Sequence, residues 1–192
     1  MINIFKVLFY PISADLYVAV NTYLIPSALP GLLALVTFDT AYLLLFRNSR
    51  KSTGLFRRNS QLLLYLLFFY LAFVLYLTVL SRPPGSRTEV DLMPFATISV
   101  RAAGNVYAAE NILLFIPFGI LYRLIPLTVN RAGKCLLSGF MLSAAIETVQ
   151  FITGRGYLQT DDVILNVFGC FIGYIIGNQL IKLTDSLLLR SG

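Results

Sequence analysis

Apolar residues run along this chain in long blocks, separated by short clusters of charge. A helix needs about 20 consecutive, mostly apolar residues to cross a bilayer core. The stretches Thr22 to Phe46, Gln61 to Leu80, Tyr107 to Leu127, Gly133 to Ile152 and Val163 to Leu183 all meet that requirement. The opening segment Ile2 to Val20 is also apolar, but Lys6, Pro11 and Asp15 interrupt it, which predicts an interfacial or partly inserted helix instead of a sixth span. Proline removes a backbone donor and clashes with the preceding turn, so Pro26, Pro30 and Pro117 predict kinks in the spans that hold them. The pattern as a whole predicts an all-α integral membrane protein. It reads as a single membrane domain over residues 1–192, a bundle of about five transmembrane helices plus the N-terminal helix. The first residues lack an Ala-x-Ala cleavage site and read as mature sequence.

Composition narrows what such a bundle can do. Hydrophobic residues make up 57% of the chain and charged residues 12%, about half the charged share usual in a soluble domain. Histidine is absent, which excludes His-based triads and HExxH zinc sites. Cys135 and Cys170 fall inside apolar blocks, where a thiol behaves as a small hydrophobe, and no disulfide is inferred. The net charge of +6 would suit nucleic acid, but the basic residues sit in short runs between apolar blocks instead of along one helix face. That distribution fits membrane orientation, and no nucleic-acid partner is expected.

Lysines and arginines concentrate on the cytoplasmic side of membrane proteins. Arg47, Arg50, Lys51, Arg57 and Arg58 fill the first link, Arg123, Arg131 and Lys134 the third, and Lys182 and Arg190 the tail. The other links are poorer in basic residues and hold Glu89, Asp91, Asp161 and Asp162. The C-terminus is therefore expected inside the cell, with the second and fourth links outside.

Ionisable groups within spans are costly and mark candidate sites. Glu110 and Asn111 lie near the start of the third span. Ser143, Glu147 and Gln150 share one face of the fourth by their i, i+4, i+7 spacing, and Asp162 and Asn166 open the fifth. These groups are expected at one depth, near the outer surface, with Glu147 at the centre. The fifth span continues through Gly169, Gly173 and Gly177, a small-xxx-small ladder that brings another helix close and turns the polar face inward. The plainer reading of the polar residues is an internal network that fixes helix register, with Arg155 pairing Glu147 or Asp161 and with Asp162 capping its helix. The functional reading makes Glu147 and Asp162 an acid and base pair, or makes the group a binding site with Glu110, Asn111, Gln150, Arg155, Asp161 and Asn166. In the long loop from Ser81 to Asn105, Arg82, Arg87 and Arg101 flank an apolar stretch, and Arg87 and Arg101 are candidate ligands for a lipid phosphate. The spacing of the acids does not define a metal site, and no cofactor motif is present.

Several of these residues form ordered motifs. Asn111-Ile-Leu-Leu-Phe115-Ile-Pro117-Phe-Gly119 is followed by Ser143-Ala-Ala-Ile-Glu147-Thr-Val-Gln150-Phe151. Gly154-Arg155 comes next, and then Asp161-Asp162-Val-Ile-Leu-Asn166-Val-Phe-Gly169-Cys-Phe-Ile-Gly173-Tyr174. Together they resemble the VanZ-like family over about residues 91–174. Asp91-Leu-Met-Pro94-Phe95 is similar to that family's Asn-Leu-Ile-Pro-Phe turn, with Asp91 in place of asparagine. Relatives often carry an acid three positions after the arginine, where this chain has Leu158. The resemblance implies a multi-pass protein of the bacterial cell membrane, linked to resistance against teicoplanin-type glycopeptide antibiotics.

The residues leave three functions open. The leading one is an outward-facing polar site that binds or modifies a membrane lipid, a lipid-linked cell-wall precursor or the glycopeptide antibiotic. The second is a carboxylate-dependent hydrolase or transferase acting on a peptidoglycan precursor. The third is a small transporter or a non-catalytic partner of another membrane protein, the oligomeric state being left open.

Overall fold

The computed structural model describes residues 4–46, 58–85, 90–94, 102–126, 128 and 131–191. The chain forms helices α1 (Ile4–Phe46), α2 (Arg58–Leu75), α3 (Ala102–Leu124), α4 (Ala132–Ile152) and α5 (Thr160–Ser191). Each, α2 together with the π-helical turn Tyr76–Leu80 that ends it, contains a segment long and apolar enough to cross a membrane: Leu8–Leu45, Ser60–Leu80, Asn105–Leu124, Ala132–Ile152 and Thr160–Leu187. The protein is all-α in class and multi-pass in character.

Residues 4–20 do not form a separate element. They continue into the first span as one 43-residue helix that holds Pro11, Pro26 and Pro30. At 1.5 Å per residue such a helix is about 65 Å long, roughly twice the thickness of a bilayer core. α3 likewise runs on through Pro117.

Successive helices run in alternating directions. One end of the bundle therefore collects the start of α1, the end of α2, the start of α3, the end of α4 and the start of α5. α3 and α5 make the most extensive contact. The reason is in the glycines: a methyl group on Gly169 or Gly173 would overlap the carbonyl of Ile112 or Ile116 on α3. Losing side chains at these positions lets the two backbones touch, the packing mode that stabilises helices in lipid, where no hydrophobic effect pulls them together. Phe115, Phe118, Tyr70, Val74 and the two cysteines fill the space beside that contact. The Sγ atoms of Cys135 and Cys170 lie 3.4 Å apart between α4 and α5, fully buried and hydrogen-bonded to each other without a disulfide.

Two local devices shape the collecting end. α2 finishes in a widened π-helical turn, Tyr76–Leu80, in which the Ser81 amide donates to the Tyr76 carbonyl at 2.9 Å. Such turns shift the register of the residues beyond them and recur at functional sites. α4 ends in a Schellman-type stop: Arg155 N donates to Gln150 O at 2.8 Å, Gly154 N donates to Phe151 O at 3.0 Å, and Gly154 sits at φ 62°. A side chain would resist that left-handed backbone, which glycine adopts freely. The chain then forms a short parallel pairing, Val90–Asp91 (β1) with Leu158–Gln159 (β2), which ties the long loop after α2 to the link before α5.

Candidate functional site

A polar cavity of about 360 Å³ opens at this end of the bundle. Arg82, just past the π-helical turn, lines it together with Glu110 and Asn111 of α3, Gln150 of α4 and Asp162 of α5. Tyr107, Tyr157 and Gln159 complete the wall. Its floor is held by a hydrogen bond between α3 and α5, in which Asn111 Nδ2 donates to Asp162 Oδ1 at 2.7 Å. A bond to a carboxylate is stronger than one between neutral groups, so this contact fixes both the helix register and the direction of the Asp162 carboxyl.

Glu147 lies behind the wall. It is 3% exposed, and its Oε2 accepts a hydrogen bond at 3.1 Å from the backbone amide of Gln159, the residue that closes β2. Asp162 and Arg82 lie close enough for their charges to act on Glu147, and the Arg82 charge acts on Asp162 as well. The Arg82 guanidinium therefore acts on two carboxyl groups, one in the cavity and one beneath it. One turn deeper, Asn166 Nδ2 donates to Ser143 Oγ at 2.9 Å, joining α5 to α4, while Asn166 Oδ1 is buried without a hydrogen bond among the described residues. Asp161 is buried beside this group.

Gln150 and Arg155 serve the end of α2. The last four carbonyls of a helix have no partner within it. Here Gln150 Nε2 donates to Thr78 O at 2.8 Å and Arg155 Nη1 donates to Val79 O at 3.0 Å. Arg155 thus acts as a side-chain cap and does not pair Glu147 or Asp161. Arg155→Met is expected to lower stability by about 1–3 kcal/mol, because a buried carbonyl loses a charged donor. Thermal unfolding followed by circular dichroism in detergent reads this directly, and an unchanged midpoint would contradict the capping role.

The expected site residues therefore divide. Glu110, Asn111, Gln150 and Asp162 line the cavity, and Glu147, Asp161 and Asn166 are buried beside it. Arg155 faces α2, and Arg87 and Arg101 lie outside the described residues. Among the described residues, no group of three or more Cys, Asp or Glu is arranged to hold a metal ion. Asp15, which meets Glu110 from α1, and Tyr107, Tyr157 and Gln159 of the cavity wall are additions that the sequence pattern does not mark as site residues, and Arg82 reads there only as one of the loop arginines. A signal for Asp15 exists: Ile12, Asp15, Leu16 and Ala19 share a helical face, and Asp15 is the polar member of an apolar stripe.

The family model described as VanZ/LLP1 matches residues 62–182, more than half of the chain. The chain belongs to the VanZ/LLP1 family. This VanZ/LLP1 protein is also 34% identical over 127 residues to Protein VanZ of Enterococcus faecium, an alignment covering 64% of this chain and 70% of that protein. No solved structure matches it. The matched segment holds most of α2, all of α3 and α4, most of α5 and every residue lining the polar cavity, whereas α1 precedes it.

Proposed function

We propose that this VanZ/LLP1 protein acts in resistance to teicoplanin-type glycopeptide antibiotics by binding a cell-envelope lipid intermediate or the antibiotic in the cavity between α2 and α5. The observation that carries this reading is the cavity itself. A charged and amide-lined space at the end of an otherwise apolar bundle is costly to keep in a membrane, and such groups are retained for ligands or ion paths. The shortage of basic residues in the links at this end supports an outward orientation, with the C-terminus in the cytoplasm. A lipid-linked precursor or a lipid-tailed antibiotic would reach the cavity from the outer leaflet.

Asp162 is the central binding group in this account, held in position by Asn111. Glu147 acts from behind, keeping Arg82 and the Gln159 backbone in place. Glu147 takes no direct part in this reading, because its carboxyl is buried, bonded to the Gln159 amide and outside the cavity lining. The test is drug susceptibility in cells that depend on this protein for resistance. Glu147→Gln and Asp162→Asn are each expected to restore teicoplanin sensitivity while inserting in the membrane at wild-type levels. Unchanged resistance in both variants would defeat the proposal.

A further inference from the structure

A second cavity, of about 450 Å³, adjoins the polar one. Ile12, Leu16 and Ala19 of α1 form one wall, and Phe73 and Leu77 of α2 with Leu113 of α3 form the other. Its lining is apolar except at one end, where Arg82, Glu110 and Asn111 belong to both cavities. Asp15 joins them there, close enough to Glu110 for the two carboxyl groups to interact. The space thus changes from polar to apolar across a few side chains, and the α1 wall lies before the residues that the family model matches.

The junction also contains an unmet need. Glu110 Oε1 is buried and receives no hydrogen bond from a donor among the described residues; the neighbouring group is the Asp15 carboxyl, with which it can bond only if one of the two holds a proton. Two apposed carboxyl groups are costly to keep ionised, so a ligand that supplies an N–H or O–H at this point gives Glu110 a donor that leaves both groups ionised. An apolar groove continuous with a polar cavity fits a molecule that has both characters.

We propose that the two cavities form one site for a membrane amphiphile, with a headgroup amine or hydroxyl donating to Glu110 and a hydrocarbon chain lying in the groove between α1, α2 and α3. This rests on the reading of the polar cavity as a binding site. It adds the groove, the donor and the part played by α1. α1 then supplies the wall that separates the bound chain from bulk lipid.

The experiment uses the full chain in vesicles doped with phosphatidylethanolamine, phosphatidylglycerol or phosphatidylcholine, each carrying a diazirine near the end of one acyl chain. After irradiation, labelled peptides are located by mass spectrometry. Phosphatidylethanolamine or phosphatidylglycerol is expected to label residues 12–19 and 73–77 roughly tenfold more than phosphatidylcholine, which has no headgroup donor. Whichever of the first two labels more strongly identifies the donor as amine or hydroxyl. Glu110→Leu removes the advantage over phosphatidylcholine, and Leu16→Trp reduces labelling in the groove.

Equal labelling by all three lipids, or labelling in the groove no stronger than on the exposed Leu137 and Met141 face of α4, would overturn the proposal. If Asp162→Asn reduces labelling and Leu16→Trp does not, the groove is refuted and the polar cavity stands. If neither substitution changes it, both readings fall.

Discussion

Gly169→Val is expected to leave little folded protein. A side chain at this position would overlap the Ile112 carbonyl on α3, and no rotamer of α5 relieves a clash that begins at Cβ. The helices would have to separate along the contact that holds the bundle together. Overpacking of a close contact costs roughly 3 kcal/mol or more when backbone must move, and in lipid little else draws the two helices together. Gly133→Val supplies the control, because nothing lies within 4 Å of a Cβ there. Size-exclusion chromatography of detergent-solubilised protein should show a sharp peak for the control and aggregate for Gly169→Val. Equal profiles would mean that α3 and α5 are not in backbone contact.

Asn111→Asp is expected to have the next largest effect. The bond from Asn111 to Asp162 places the two side chains 2.7 Å apart, so the substitution sets two carboxylates face to face. Two like charges about 4 Å apart repel by on the order of 4 kcal/mol at the effective dielectric of a protein site. The variant should therefore unfold at a much lower temperature than the wild type. Adding Asp162→Asn to the same chain rebuilds the bond with donor and acceptor exchanged and should recover most of the loss. A double variant no more stable than Asn111→Asp alone would show that the two residues do not meet.

The helices were legible in the sequence because spanning a bilayer demands a long apolar run and little else. Gly133 to Ile152 emerges as Ala132–Ile152, and Gln61 to Leu80 as Ser60–Leu80. The start of the chain was harder to read. Pro11 and Asp15 look like interruptions in isolation, yet helix continues through them, and Asp15 faces a polar junction instead of water. Packing against α3 supplies what local pattern lacks.

The site was legible in the same partial way. Helical spacing correctly grouped Ser143 with Glu147 and placed Asp162 and Asn166 toward the bundle, and Asn166 does reach Ser143. It could not show which partner each residue meets. Arg82 reads as one arginine in a loop until the π-helical turn directs it into the cavity, and that turn has no signature in the residues that form it. Arg155 comes after a helix stop that aims it at the end of α2, a contact across 76 positions of chain that no local pattern announces. The pairing of Asp91 with Gln159 is equally remote.

The cavity floored by Asn111 and Asp162 is proposed to bind the ligand through which this VanZ/LLP1 protein acts. The most direct measurement is binding of a teicoplanin-type glycopeptide and of a lipid-linked peptidoglycan precursor to the purified protein in nanodiscs, for wild type and for Asp162→Asn. Wild type should bind at least one of the two, and Asp162→Asn should bind it at least tenfold more weakly, as expected for loss of a charged hydrogen-bonding group. Absence of binding to both, or equal affinity for wild type and variant, would mean that the cavity is not the ligand site.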